Sequence, residues 1–158
     1  MLDLKGNRIT YYGHSAFGVT TPSGQVAIID PWVITNPRCP EKLKKVNRLD
    51  AIFLTHGHAD HLGDLLELAE QHKPKVVSIF ETYLWLESKK TGAQTVPINK
   101  GGTQIVGEFT VTMTNAFHSN SIEENGQTKY AGEPAGFIVS LPGRVTLYHA
   151  GKRWSLGT

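Results

Sequence analysis

One cysteine, Cys39, is all that 158 residues contain. An internal disulfide is therefore excluded, and the lone thiol reads as a reducing compartment, the cytoplasm. Long apolar runs are missing as well, since no segment approaches the roughly 20 apolar residues that span a bilayer, and membrane insertion is not expected. The opening stretch MLDLKGNRIT lacks the basic patch and apolar core of an export signal. Neither sign of charge dominates: 16 Lys and Arg stand against 14 Asp and Glu, a formal net charge of +2. The lysines scatter except for Lys42, Lys44 and Lys45, which read as a solvated face. With no basic arm and no basic aromatic patch, a nucleic-acid partner and an RNA-processing role are not expected. Low-complexity tracts and internal repeats are absent too. What is present, 39% hydrophobic and 19% charged residues, suits a globular chain with one core and little room for another. A single domain over residues 1–158 is expected.

The first third reads as strands at 8–13 (RITYYG), 16–21 (AFGVTT) and 25–30 (QVAIID), with PSG at 22–24 supplying a hairpin turn. Pro31, Pro37 and Pro40 mark an irregular stretch. AIFLT, at 51–55, is a nearly continuous apolar run of the kind a strand buried on both faces shows. Leu62, Leu65, Leu66 and Ala69 then follow helical spacing as far as HKP at 72–74. KVVSIF (75–80) reads as a further strand, and ETYLWLESKK (81–90) as a helix stopped near Gly92. The strand-rich remainder includes 109–117, 135–141 and 144–150, the last two joined by a Pro142-Gly143 turn.

Between the AIFLT strand and its helix stands LTHGHADHLGD, residues 54–64, with three histidines and an aspartate in six positions. His56 and His58 are two apart, so in extended backbone their rings leave on one side and can converge on one ion. Asp60 and His61 follow where the chain turns into the helix, adding an oxygen and another nitrogen. This donor set suits a divalent metal, Zn2+ first, with Mn2+, Fe2+ or Ni2+ compatible. Gly57 and Gly63 permit the tight backbone that such crowding demands. A lone His or Asp here would read as a polar helix cap. Four together do not, because clustered imidazoles repel one another on protonation unless something holds them.

His56, His58, Asp60 and His61 reproduce the H-x-H-x-D-H signature, and the chain resembles the metallo-β-lactamase superfamily. TYYGHSAFGV, IIDPWVITNP, NAFHSNSIEENGQTKYAGEPAGFIV and LYHAG look like further landmarks of its branch of uncharacterised metal-dependent hydrolases related to sugar-lactone hydrolases. The resemblance implies an α/β fold of the αββα type: two stacked, mostly antiparallel sheets with flanking helices. It implies one metal held by His56, His58 and His118, and a second taken by Asp60 and His61. The implied activity is a metal-bound hydroxide attacking an ester, lactone or phosphodiester of a small molecule, with Asp60 the catalytic residue that orients or deprotonates the water. On this reading His14 and His149 are supporting or packing residues, and His72 an exposed helix end.

The chain departs from the family pattern near its end. The family follows HAG with an Asp that bridges both metals; here the residue is Lys152, and no later histidine follows before Thr158. A lysine ammonium about 4 Å from a divalent ion would meet roughly 8 kcal/mol of repulsion at an effective dielectric of 20. One ion is therefore expected rather than two. The fold is expected to be C-terminally truncated, by a frameshift or by deliberate shortening. Codons for Trp154 to Thr158 can be chosen so that a shifted frame spells the family-like Leu-Val-Ser-Gly-Asp. Loss of the last third should expose apolar faces of 135–141 and 144–150, so a homo-oligomer is expected. A weakened hydrolase is the leading expectation, and a non-catalytic, self-associating remnant is the alternative.

Overall fold

The computed structural model describes residues 3–151. Six strands form the first sheet in chain order: β1 (Arg8–Gly13), β2 (Ala16–Thr20), β3 (Val26–Ile29), β4 (Ala51–Phe53), β5 (Lys75–Ile79) and β6 (Gln94–Ile98). β1, β2 and β3 pair antiparallel through short turns, whereas β3, β4, β5 and β6 pair parallel. Parallel neighbours need crossovers. β4 reaches β5 through α1 (Ala59–Leu62) and α2 (Leu65–His72), and β5 reaches β6 through α3 (Phe80–Lys89).

The chain continues through β7 (Thr103–Val106), β8 (Phe109–Asn115), a hairpin of β9 (Ser121–Glu124) and β10 (Gln127–Tyr130), then β11 (Ala135–Leu141) and β12 (Val145–His149). The second sheet is wholly antiparallel, in the order β12-β11-β8-β7, with the β9–β10 hairpin apart from it. The expected mostly antiparallel pairing thus holds across the molecule, with its exceptions confined to the first sheet, where three of five pairings are parallel.

The pleat divides the buried strands between two cores. Ala27, Ile29, Ala51, Phe53 and Val77 point to the second sheet, where Phe109, Val111, Met113, Phe137 and Val139 meet them. Phe53 lies edge-on to Phe109 at 5.9 Å and tilted to Phe137 at 6.0 Å. Alternate residues Ile28, Ile52, Leu54 and Val76 point the other way, onto Leu65, Leu68 and Ala69 of α2 and Leu86 of α3. That is why 51–54 reads as an unbroken apolar run.

Two expectations change here. The apolar side of 135–141 is buried, because Ala135, Phe137, Val139 and Leu141 face the first sheet. Exposed apolar surface on this sheet is carried by Tyr148, inside the expected 144–150, and by Ile105 of β7, 59% and 75% accessible. His72 does end α2, followed by Lys73 in a left-handed conformation, but it is half-buried rather than exposed. Among the described residues, no helix is long and apolar enough to cross a membrane.

Candidate metal centre

β4 ends at Phe53 and β8 at Asn115, and the segments that follow bring together the side chains singled out in the sequence. Ligand atoms of His56, His58 and His118 all lie within 4.8 Å of one another. Their rings meet edge to face, 4.7 Å for His56–His58, 4.8 Å for His56–His118 and 5.0 Å for His58–His118. His118 Nε2 stands 3.2 Å from His58 Nδ1. Nitrogens bound to tetrahedral zinc at about 2.0–2.1 Å sit about 3.4 Å apart, so the pair is already near a ligand spacing.

The hairpin and the motif loop hold each other. Gly57 N–H donates to Asn120 Oδ1 at 2.7 Å, Asn120 Nδ2 donates to the Ala131 carbonyl at 2.7 Å, and Ala135 N–H donates to the Thr55 carbonyl at 2.9 Å. Position 57 has to be glycine because a Cβ there would stand 2.3 Å from Ile122 Cγ1 and 2.8 Å from the Ser121 carbonyl oxygen. The hairpin lies directly on the backbone of the motif, and that contact carries His118 to the other histidines.

Beneath them sits Asp30, fully buried and not singled out in the sequence. Its carboxylate accepts from Thr55 N–H at 2.8 Å, Thr55 O–H at 2.8 Å and His61 Nδ1–H at 2.7 Å. The Thr55 hydroxyl has one proton, and a carboxylate can only accept, so that proton goes to Asp30. Thr55 Oγ1 must then accept from His56 Nδ1–H, 2.9 Å away. One carboxylate therefore fixes both His56 and His61 with the Nδ1 nitrogens protonated and the Nε2 lone pairs turned outward. Such outer partners set the tautomer of metal-binding histidines. Asp30 also lies near the ligand atoms of His56 and His61, but with both oxygens engaged it acts as a holder.

The consequence is a pair of buried acceptors. His56 Nε2 and His61 Nε2 have no hydrogen-bond partner among the described residues, although the two side chains are 1% and 0% exposed. Burial, and then the neighbouring His61, His58 and His118, push the His56 pKa down to about 2, so its ring is neutral and able to ligate. Leaving two such nitrogens unsatisfied costs about 1–3 kcal/mol each. A divalent cation, taking nitrogen and oxygen donors, satisfies such a nitrogen, and the residues fit one.

Asp60, in the first turn of α1, and His61 form a second group with a residue the sequence reading set aside. His14 Nε2 is 2.8 Å from Asp60 Oδ2, and His61 Nε2 is 3.8 Å from the same oxygen. The ligand atoms of His14, Asp60 and His61 lie within 4.8 Å of one another. His14 thus belongs among the chemistry-bearing side chains. Its signal, a histidine at the turn of the first hairpin, is 42 positions before His56 and gives no hint of proximity until the strands pair. The two groups adjoin, with the His56 and His61 rings 3.9 Å apart.

His149 does pack as expected: Nε2–H donates to the Ser15 carbonyl at 3.2 Å, Nδ1 accepts from Gly151 N–H at 3.3 Å, and the ring meets Phe17 edge-on at 5.6 Å. Asp64, the last residue of the quoted motif, is also structural. Its carboxylate accepts from the N–H groups of Val33, Ile34 and Thr35 and from the Thr35 hydroxyl, anchoring the loop after β3. Gly63, at φ 45, lets that loop approach, since a Cβ there would stand 2.5 Å from Trp32 Cα. Lys152, at the position of the expected bridging aspartate, lies outside the described residues.

The pattern that defines the β-lactamase superfamily domain matches residues 26–152. A UPF0173 metal-dependent hydrolase from Koribacter versatilis is 49% identical over 150 residues, 95% of this chain and 64% of that protein. A second of that name, from Rubrobacter xylanophilus, is 48% identical over 94% of this chain and 61% of its own length. The chain thus spans somewhat under two thirds of these relatives. Among solved structures, the metallo hydrolase Igni18 from Ignicoccus hospitalis superposes with a TM-score of 0.73 at 36% identity, over 90% of this chain and 59% of that one. CmlA, a diiron β-hydroxylase from Streptomyces venezuelae, gives 0.66 at 18% identity over 91% of this chain and 29% of its own, a likeness of fold alone. With the stacked sheets, the signature and the clustered imidazoles in place, the matched pattern settles the family: the chain belongs to the metallo-β-lactamase superfamily.

Proposed function

We propose that this chain carries the metal centre of a metal-dependent hydrolase acting on a small-molecule ester, lactone or phosphodiester. His56, His58 and His118 are the ion's ligands, and Asp60 orients or deprotonates the attacking water. The observation that carries the reading is the convergence of three imidazoles, one with a buried, outward-turned Nε2, from the ends of strands in two different sheets. A divalent ion there, zinc by its donor set, supplies Lewis acidity and makes a water acidic enough to act as nucleophile near neutral pH. One ion suffices for this chemistry. The relatives named as metal-dependent hydrolases support the reaction class.

The chain's own residues divide the rest of the work. Asp30 and Thr55 hold His56 in one tautomer, with its Nε2 turned away from them. Asp60 is about one-third exposed and can reach a water on the open side, as a general base must. A cleft of about 570 Å³ opens beside His118, lined by Lys100, Asn115, Phe117, Glu133 and Pro134. That volume lies in the range of small-molecule sites. Phe117, 78% exposed, offers it an apolar wall, and Lys100, paired with Glu133, a cation at the rim.

The test is elemental analysis of the purified chain, with turnover of a nitrophenyl phosphodiester, nitrophenyl esters and a lactone panel. The wild type should contain zinc and turn over one of these classes, and His58→Ala should lose the zinc of the three-histidine site and at least about 100-fold in rate. Turnover that survives His58→Ala, or metal retained with no turnover of any class, would overturn the proposal; the latter would make the chain a metal-binding, non-catalytic one.

A further inference from the structure

We infer that His14 is a metal ligand, completing with Asp60 and His61 a second cation site beside the three-histidine site. The inference rests on the reading of this edge as a metal centre but not on any hydrolytic activity. Two independent observations lead to it. The first is the juxtaposition: His14 Nε2 is 2.8 Å from Asp60 Oδ2, and the three ligand atoms lie within 4.8 Å of one another. The second is His61, completely buried, whose Nε2 has no hydrogen-bond partner among the described residues and stands 3.8 Å from the same Asp60 oxygen. An ion pair between His14 and Asp60 would account for the first contact and leave the second unexplained. A cation between the three accounts for both, and it takes two neutral imidazoles and a carboxylate, the donor set of open catalytic zinc sites.

The surroundings of His14 are those of a ring held in place. It sits at the β1–β2 turn with φ 54, a conformation that Gly or Asn adopts with less strain. Tyr11 O–H donates to its carbonyl at 3.0 Å, and His149 Nε2–H donates to the next carbonyl, Ser15, at 3.2 Å. Trp32 meets the ring edge-on at 5.7 Å, and His61 does so at 5.2 Å. Below, Asp30 turns His61 Nε2 toward His14 by taking its Nδ1 proton. The turn is thereby fixed from three elements, β1, β12 and the loop after β3, with its imidazole directed at the motif.

The experiment is zinc stoichiometry and stepwise affinity of the metal-stripped chain, by chelator competition, for wild type, His14→Gln, His14→Asn and His58→Ala. The wild type should take two equivalents. Both His14 variants should keep the tighter one and bind the other at least about 100-fold more weakly, whereas His58→Ala should lose the tighter one. His14→Asn tolerates the positive φ, so a loss common to both variants cannot come from backbone strain. In the cobalt-loaded wild type, proton NMR should show a hyperfine-shifted, exchangeable imidazole N–H that is absent from both His14 variants. Two equivalents bound unchanged by the His14 variants, or one equivalent in the wild type, would overturn the inference and leave the three-histidine site intact. No bound zinc at all would overturn the metal-centre reading with it.

Discussion

Asp30 decides more of the site's chemistry than any residue of the signature, because one carboxylate sets the tautomers of His56 and His61 at once. Its φ is 52, a conformation that asparagine tolerates well, so Asp30→Asn changes the charge and one acceptor without disturbing the backbone. The new amide N–H groups would face donors. The variant should bind zinc about 10- to 100-fold more weakly and lose about 1–3 kcal/mol of stability in the metal-free state, as read by chelator competition and urea unfolding. Zinc affinity equal to that of the wild type would mean that the two rings keep their orientation without the carboxylate. Asp30 was not legible in the sequence: IIDP reads as the end of a strand, and only the pairing of β3 with β4 sets its carboxylate beneath Thr55 and His61. His56 and His58 were legible because their ligand geometry is local, two residues of extended chain. His118 needed the family resemblance, and His14 needed the fold.

At the scale of elements, the contact that assembles the site is the β9–β10 hairpin pressed on the motif loop. Gly57→Ala would drive a methyl group into Ile122 and the Ser121 carbonyl, forcing the hairpin outward and stretching the Gly57–Asn120 bond. Overpacking of this kind costs about 1–3 kcal/mol. Because His118 arrives on the same segment, zinc affinity should fall in parallel with stability. Gly57→Ala combined with Ile122→Ala should recover part of both, since the side chain yields while the Ser121 carbonyl does not. Equal affinities in the wild type and Gly57→Ala would show that the hairpin does not set the position of His118. This hairpin was also the element least visible in the sequence. β10 is exposed throughout and Ser121–Glu124 buries only Ile122 deeply, so neither strand carries the apolar pattern, alternating or continuous, that made β1, β4, β5 and β11 readable. The helix after the motif was readable from its leucines, yet it breaks at Gly63 into two pieces, because Trp32 crosses where a Cβ would be.

Across the whole molecule, the ligands divide between the two layers. His56 and His58 extend from β4 of the first sheet, His118 from β8 of the second, and the layers are otherwise joined by the apolar packing of Phe53, Phe109, Phe137 and their neighbours. An ion held by all three is thus a cross-link between the sheets, and it binds the native state alone. Linkage then requires that it add stability as the logarithm of its excess over Kd, about 4 kcal/mol at 1,000 times Kd. Loading the stripped chain with zinc should raise its Tm by several degrees, and EDTA should return it to the stripped value. His118→Ala should abolish most of the increment while keeping the inter-sheet core. Truncating that core tests the converse: Phe137→Ala removes a ring from the centre of the interface and should cost about 3–5 kcal/mol, a loss that zinc only partly offsets because packing and metal act in parallel. A Tm indifferent to EDTA would mean that no ion joins the sheets, and the convergence of imidazoles would then have to be explained by apolar packing alone.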